Sequence, residues 1–288
     1  MKSAIAVAFA LLLLPAATPA KIASSALMAG DTFEIRKEYE TSEKMGDETS
    51  GSSSGHATIM ERVIEVRDDG LVLEYDLRSD TKREDRDRQW QFPARLFKAH
   101  SAKLQLLNRV ELEARLKDWL KKAKLTQAAC GRWTFTWNAF KIECNPETVI
   151  ELVKEYDLGP RNLFANSSYK HTHAAQPGTL KQTAIGAAGV SYSVEMPLDP
   201  SKVRQDFAEA DVIVGEILGK PITIGQALLA QTSKQITGTI RLTFETLPSG
   251  DVQKRTTVTE MEIRNQNGKT ETRMAKEIVM RRLIARKN

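Results

Sequence analysis

Residues 236–284 read ITGTIRLTFETLPSGDVQKRTTVTEMEIRNQNGKTETRMAKEIVMRRLI, and this stretch decides the fold. Ile236, Ile240, Leu242 and Phe244 recur at even spacing, the period at which a strand turns alternate side chains to one face. Pro248-Ser-Gly-Asp251 and Asn265-Gln-Asn-Gly268 are turn sequences, because Gly, Asn and Pro take backbone conformations that other residues resist. The segments 252–264 and 270–284 therefore return as neighbours, and the three elements form a β-meander. The last suits a strand through Met274, Ile278, Met280 and Ile284, although its composition also allows a helix.

Working outward, 222–234 is ambiguous between a short helix and a strand. Before it, Asp199-Pro200 opens a helix to about Leu218, with Val203, Phe207, Ala210 and Val214 expected inward and Gly219-Lys-Pro221 as its stop. Val190, Tyr192, Val194 and Met196 form a strand, and 165–189, small and polar, reads as a long loop. In the first half, Phe33, Ile35 and Tyr39 alternate with charged residues, Lys37 being the one break. Residues 42–56, around Ser50-Gly-Ser-Ser-Ser-Gly55, have little to bury and are expected to be a mobile hairpin tip. A strand over 57–67 reaches Asp68-Asp69-Gly70, where Gly suits the positive φ of a tight turn, and Leu71, Leu73, Tyr75 and Leu77 return. The charge run 79–88 predicts a solvated loop. Asn108 with Glu111 three residues on predicts a capped helix with the stripe Leu112, Leu116, Trp119, Leu120 and Ala123. Asn145-Pro146 starts a further helix through Val149, Ile150 and Val153 that Gly159-Pro160 ends. Hairpin-joined strands with helices between groups of them give an α+β class: a largely antiparallel sheet with helices packed on one face.

The chain has 288 residues, 41% apolar and 27% charged, enough to build a core and unlike a disordered or polytopic membrane chain. Its net charge of +5 is local: residues 269–288 hold seven cations against Glu271 and Glu277. That pattern argues against a general acidic partner. Arg281, Arg282, Arg286 and Lys287 are instead expected to contact an anionic envelope surface, or to form the wet face of the last strand.

Residues 1–20 have the layout of a secretion signal: Lys2, an uncharged run from Ala4 to Leu14, then Pro15 to Ala20 with small residues before a cleavage site after Ala20. As a helix that run spans about 16 Å, roughly half a bilayer core. The expected product is one α+β domain, 21–288, in the periplasm or secreted. Cys130 and Cys144, the two cysteines, flank Trp133, Phe135 and Trp137 at strand spacing, a turn at Asn138-Ala139 and a return through Phe140. A hairpin would bring the sulfurs together, and an oxidising compartment would join them.

Catalytic motifs are weak. His171 and His173 would share a face on a strand and offer two nitrogens to a metal, but no third ligand is apparent, so no metal and no cofactor is expected. Ser167-Ser-Tyr-Lys170 matches Ser-x-x-Lys, a pattern expected about once by chance in this composition and lacking its companion motifs. Aromatic residues are more informative: all four tryptophans lie between 90 and 140. Trp90, Trp133, Phe135, Trp137 and Phe140 are candidates to line an apolar ligand site, unless that strand face packs under the Leu112/Leu116/Trp119 helix. The leading expectation is a non-catalytic envelope protein, with no nucleic-acid partner, that holds a lipid or lipidated chain in a groove between sheet and helices. The analogy with curved-sheet lipid and lipoprotein carriers is architectural only. The alternatives are an envelope hydrolase near His171 and His173, and a structural or assembly partner of the envelope.

Overall fold

Phe33, Ile35 and the residues alternating with them form β1 (Thr32–Met45), which a turn at Gly46 reverses into β2 (Glu48–Arg67). The computed structural model describes residues 27–46, 48–135, 139–159, 163–186, 189–265 and 267–286; the expected leader, Trp137 and Lys287 lie outside them. Within the tip expected at 42–56, residues 42–45 and 48–56 are strand, with Ser42 opposite Ser52 and Thr41 opposite Ser53. These small polar residues bury little, yet β1 is paired along both edges, so its backbone groups are satisfied by neighbours rather than by water. Gly70 opens β3 (Gly70–Asp76), and its φ is not positive. A Cβ there would meet the Lys98 carbonyl at 2.3 Å, so close approach of the next strand, not turn geometry, requires glycine.

The charge run, expected as a loop, contains the short helix α1 (Arg83–Arg88). Glu84 and Asp85 in its first turn and Arg86 and Arg88 in its last complement the helix dipole, and none of its residues is buried. β4 (Ala94–Ala99) and β5 (Leu104–Leu106) lead to α2 (Arg109–Lys122). Asn108 precedes α2 without capping it: its Oδ1 accepts from the Arg95 N–H at 2.9 Å and its Nδ2 donates to the Pro93 carbonyl at 3.1 Å, tying the helix start to β4. The disulfide Cys130–Cys144 closes the hairpin of β6 (Trp133–Phe135) and β7 (Ala139–Lys141), and α3 (Thr148–Lys154) follows.

Residues 165–189 hold more structure than a loop: β8 (Ser168–Tyr169) pairs with β9 (Gly178–Thr179), and β10 (Lys181–Gly186) pairs with β11 (Gly189–Pro197). Asp199 caps α4 (Pro200–Ile217) by accepting from the Ser201 N–H, while Ala210 and Val214, expected inward, are exposed and Ala208 is buried. The ambiguous segment is a helix, α5 (Ile224–Gln231), with Thr223 and Gln226 forming a capping box. The meander follows as β12 (Gln235–Thr246), β13 (Val252–Arg264) and β14 (Thr270–Ala285), with positive φ at Gly250 and Gly268 in its turns.

Ten strands make one antiparallel sheet in the order β10-β11-β12-β13-β14-β1-β2-β3-β4-β5. Two apolar cores lie against it. One joins Phe33, Ile35, Val63 and Leu96 to Leu112 and Leu116 of α2 and Val149 of α3; the other joins Ile240, Leu242 and Phe244 to Val203 of α4. Between them, the same face of β1, β13 and β14 is polar. Lys37, the break in the sequence pattern, lies in this belt, its ammonium 2.9 Å from Glu155 and 3.2 Å from Glu277.

Asp31, fully buried, fixes the start of β1 to the end of β14. Its Oδ1 and Oδ2 accept from Arg286 at 3.1 and 3.2 Å, and Oδ2 also accepts from the Met28 N–H at 3.1 Å. Burial pushes this carboxyl up, but the Met28 N–H and the Arg286 guanidinium outweigh it and hold it below its ordinary 3.8. A lowered native value stabilises the fold above the unfolded value and ceases to as the pH falls through the native one. Asp31→Asn is therefore expected to cost about 1–2 kcal/mol at pH 7, since Arg286 is partly open to solvent, and the gap from wild type should close below about pH 4. Urea denaturation of both proteins at pH 7 and pH 3 checks this. Replacing Cys130 and Cys144 together by Ala should cost up to about 3 kcal/mol, read from the same denaturation curves.

Candidate functional site

The register of the central strands places three polar side chains around one buried point. Phe33 of β1 stands opposite Glu61 of β2, Glu61 opposite Tyr75 of β3, and Ile35 opposite Arg281 of β14, so Glu61 and Arg281 reach the covered face from the strands flanking β1 and Tyr75 from the strand beyond β2. Arg281 crosses β1 over the Phe33 ring, its guanidinium carbon 3.3 Å from the ring centroid, and donates from Nε to Glu61 Oε1 at 3.0 Å. The Tyr75 hydroxyl donates to Glu61 Oε2 at 2.8 Å. Burial, and then the Glu61 carboxylate, push the Tyr75 phenol well above its usual range, so it remains a donor.

These groups line a cavity of about 220 Å³ between the sheet and the α3 side of the molecule. Its apolar side is formed by Ile35, Leu71, Leu73 and Leu104 from the strands and Val153 and Leu158 from α3 and the segment after it. Lys98 and Asp157, paired at 3.2 Å and more exposed, also line it. The arrangement can take hydrocarbon against its walls and a polar group beside a buried network whose charges already satisfy one another. It is not arranged for proton transfer, since Glu61 is held by Arg281 and Tyr75 keeps its proton.

The residues singled out from the sequence do not gather at this cavity. Trp90 is part of the first core, buried rather than at a rim. Trp133, Phe135 and Phe140 sit on the small disulfide-closed hairpin, with Phe135 60% and Phe140 43% exposed. That hairpin neighbours α4, with the Trp133 N–H donating to Glu216 at 3.2 Å, whereas the Leu112 and Leu116 stripe of α2 covers the first core. Trp137 lies outside the described residues. The basic tail is largely spent within the fold: Arg281 on Glu61, Arg286 on Asp31 and the exposed Arg282 on Glu34 at 3.2 Å, with Lys287 outside the described residues.

His171 and His173 come close, their ring centroids 5.7 Å apart, but the His173 N–H donates to His171 Nδ1 at 3.2 Å. His173 Nε2 pairs with Asp206 at 3.1 Å, and the Thr172 hydroxyl lies 3.2 Å from Nδ1. That is the order of a hydroxyl, a base and an orienting acid, but it is open to solvent and lines neither cavity described here. Ser167 and Lys170 flank β8, so they are not one helical turn apart, and the Ser167 hydroxyl donates to the Phe164 carbonyl at 2.8 Å.

Sequence reasoning missed Glu61, Tyr75 and Asp31. Glu61 had a signal: it lies between Ile59 and Val63 at the parity of the apolar face, where an unpaired carboxylate would be costly. Its partner, 220 residues away, had none.

A second cavity, of about 300 Å³, lies in the polar belt between the cores and is lined by Tyr39, Tyr169, His171, Arg255 and Glu277 among others. No family model matches this chain, and no curated protein matches it. Among solved structures, lipovitellin, from work titled for lipid–protein interactions, is similar over 91% of this chain and 26% of its own, at 7% identity and a TM-score of 0.42. The chain thus spans about a quarter of lipovitellin's length. An outer membrane channel from Pseudomonas putida F1 is similar over 93% of this chain and 100% of its own, at 7% identity and a TM-score of 0.19. At these scores neither likeness carries fold or function to this chain.

Proposed function

We propose that this chain is an exported envelope protein that binds an amphipathic ligand, a lipid or a lipidated chain, in the groove between its sheet and α3. One observation carries this reading: a cavity of about 220 Å³ with an aliphatic side and an internally neutralised Glu61–Tyr75–Arg281 group. An engineered apolar cavity of roughly 150 Å³ admits benzene, so this one has room for the end of a hydrocarbon chain. The Cys130–Cys144 disulfide and the arrangement of residues 1–20 support export.

Native mass spectrometry of protein purified from its own envelope tests the reading. The expected spectrum carries a lipid-sized adduct, lost when Leu104→Trp fills the cavity in a protein of unchanged melting temperature. An apo mass in every preparation would defeat it. The polar group predicts a non-additive stability pattern: Glu61→Ala should cost about 3 kcal/mol or more by stranding Arg281, and Glu61→Ala with Arg281→Met should recover most of the loss in urea denaturation.

A further inference from the structure

The polar belt separates two apolar cores on one sheet face, and its cavity of about 300 Å³ has a chemistry unlike that of the first. Its charges cancel. Glu277 takes Arg255 Nη2 at 2.8 Å and Lys37 at 3.2 Å, and Glu155 takes Lys37 at 2.9 Å, so two cations meet two carboxylates. A free anion would lie beside Glu277 and a free cation beside Arg255 and Lys276, so a simple ion of either sign meets a like charge. Hydrogen-bonding capacity nevertheless remains. Among the described residues the buried Arg255 Nε–H has no partner. His171 accepts at Nδ1, which places the proton of the neutral ring on Nε2 as a donor. Burial, then His173 and Arg255, lower the affinity of His171 for a second proton. The hydroxyls of Thr257, Thr259 and Tyr169 add groups that both donate and accept.

One wall is an aromatic platform. Tyr39 stands opposite Gly55, and a Cβ at Gly55 would lie 2.7–2.8 Å from the Tyr39 hydroxyl and ring carbons. The ring therefore rests against bare backbone and remains 44% exposed beside the cavity. Glycine at position 55 makes that posture sterically available.

We infer that this cavity is a saccharide site, in which a sugar ring stacks on Tyr39 and its hydroxyls exchange hydrogen bonds with Arg255, His171, Glu277 and the threonines. Polyhydroxylated rings need what the belt supplies: donors and acceptors side by side and an aromatic face. The sugar can be a free glycan or the head of a glycolipid. The site is independent of the hydrocarbon-binding cavity proposed above, and Leu104→Trp should leave it intact.

The test is a glycan array of neutral and acidic mono- to tetrasaccharides, probed with full-length mature protein. Hits are titrated by saturation-transfer NMR against inorganic phosphate and against the same sugar on a lipid in vesicles. Saturable binding of at least one sugar is expected, weakened about tenfold or more by Tyr39→Ala and by Gly55→Ala, with melting temperatures near wild type for Tyr39→Ala. Equal binding of free and lipid-linked sugar identifies the glycan as the ligand, and a preference for the lipid-linked form identifies a glycolipid head. A blank array, binding of phosphate without sugar, or sugar binding unchanged in Tyr39→Ala overturns the inference.

Discussion

The pairing of β1 with β14 is the constraint on which the structure depends. It joins strands more than two hundred residues apart from Thr32 with Ala285 to Met45 with Glu271, in one register from Phe33 onward after a shift at Thr32. Without it the sheet would be two separate groups, β1–β5 and β10–β14, each with an apolar face only partly covered. The ladder is reinforced at its buried end by Asp31 with Arg286 and, two strands apart, by Glu61 with Arg281. Closing so long a loop is costly in chain entropy before any contact forms, although that cost grows only slowly with length. The meander and the β1–β3 hairpins, made of local contacts, are the natural first structures, and their junction the late one.

That junction also explains why the polar side chains of the covered face gather at the sheet centre. Helices α2 and α3 cover one end of the inner face and α4 the other, so each apolar core has a lid. The strands between them meet the C-terminal end of α3, where Glu155 pairs with Lys37. Their inner-face residues are accordingly those that tolerate partial solvation, Lys37, Thr257 and Thr259, or those neutralised by a partner, Arg255 and Glu277. The boundary between the first core and this belt falls within β1, where Ile35 is apolar and Lys37 is ion-paired. An aliphatic cavity and a polar one thus lie on consecutive stretches of the same strand face, about 13 Å apart at 3.3 Å per residue from Ile35 to Tyr39.

The same geometry reassigns the basic C-terminal segment. A run of arginines on an exposed strand would be a docking patch, but here alternate arginines turn to opposite faces. Arg281 enters the interior to meet Glu61, while Arg282 stays outside and pairs with Glu34. The period-two rule of strands, rather than the charge count, decides what each cation does.

Much of the architecture was legible in the sequence, because short-range physics carries it. Even spacing of Ile240, Leu242 and Phe244, turn residues at Gly250 and Gly268, the Asp199-Pro200 helix start and the Cys130–Cys144 spacing each express a constraint within about fifteen residues. What misled were segments whose state is imposed from elsewhere. Residues 42–45 and 48–56 have a loop's composition but are strand, because they pair with each other and 42–45 pair with β14 as well. Trp90 joins the core and Trp133 the small hairpin, because burial depends on which elements pack, not on which residues are aromatic. The sequence alone therefore determined the alternation, the turns and the class. Tertiary structure alone decided which carboxylate meets which arginine and where the cavities open, since a buried charge is satisfied only by what distant strands bring within hydrogen-bonding reach.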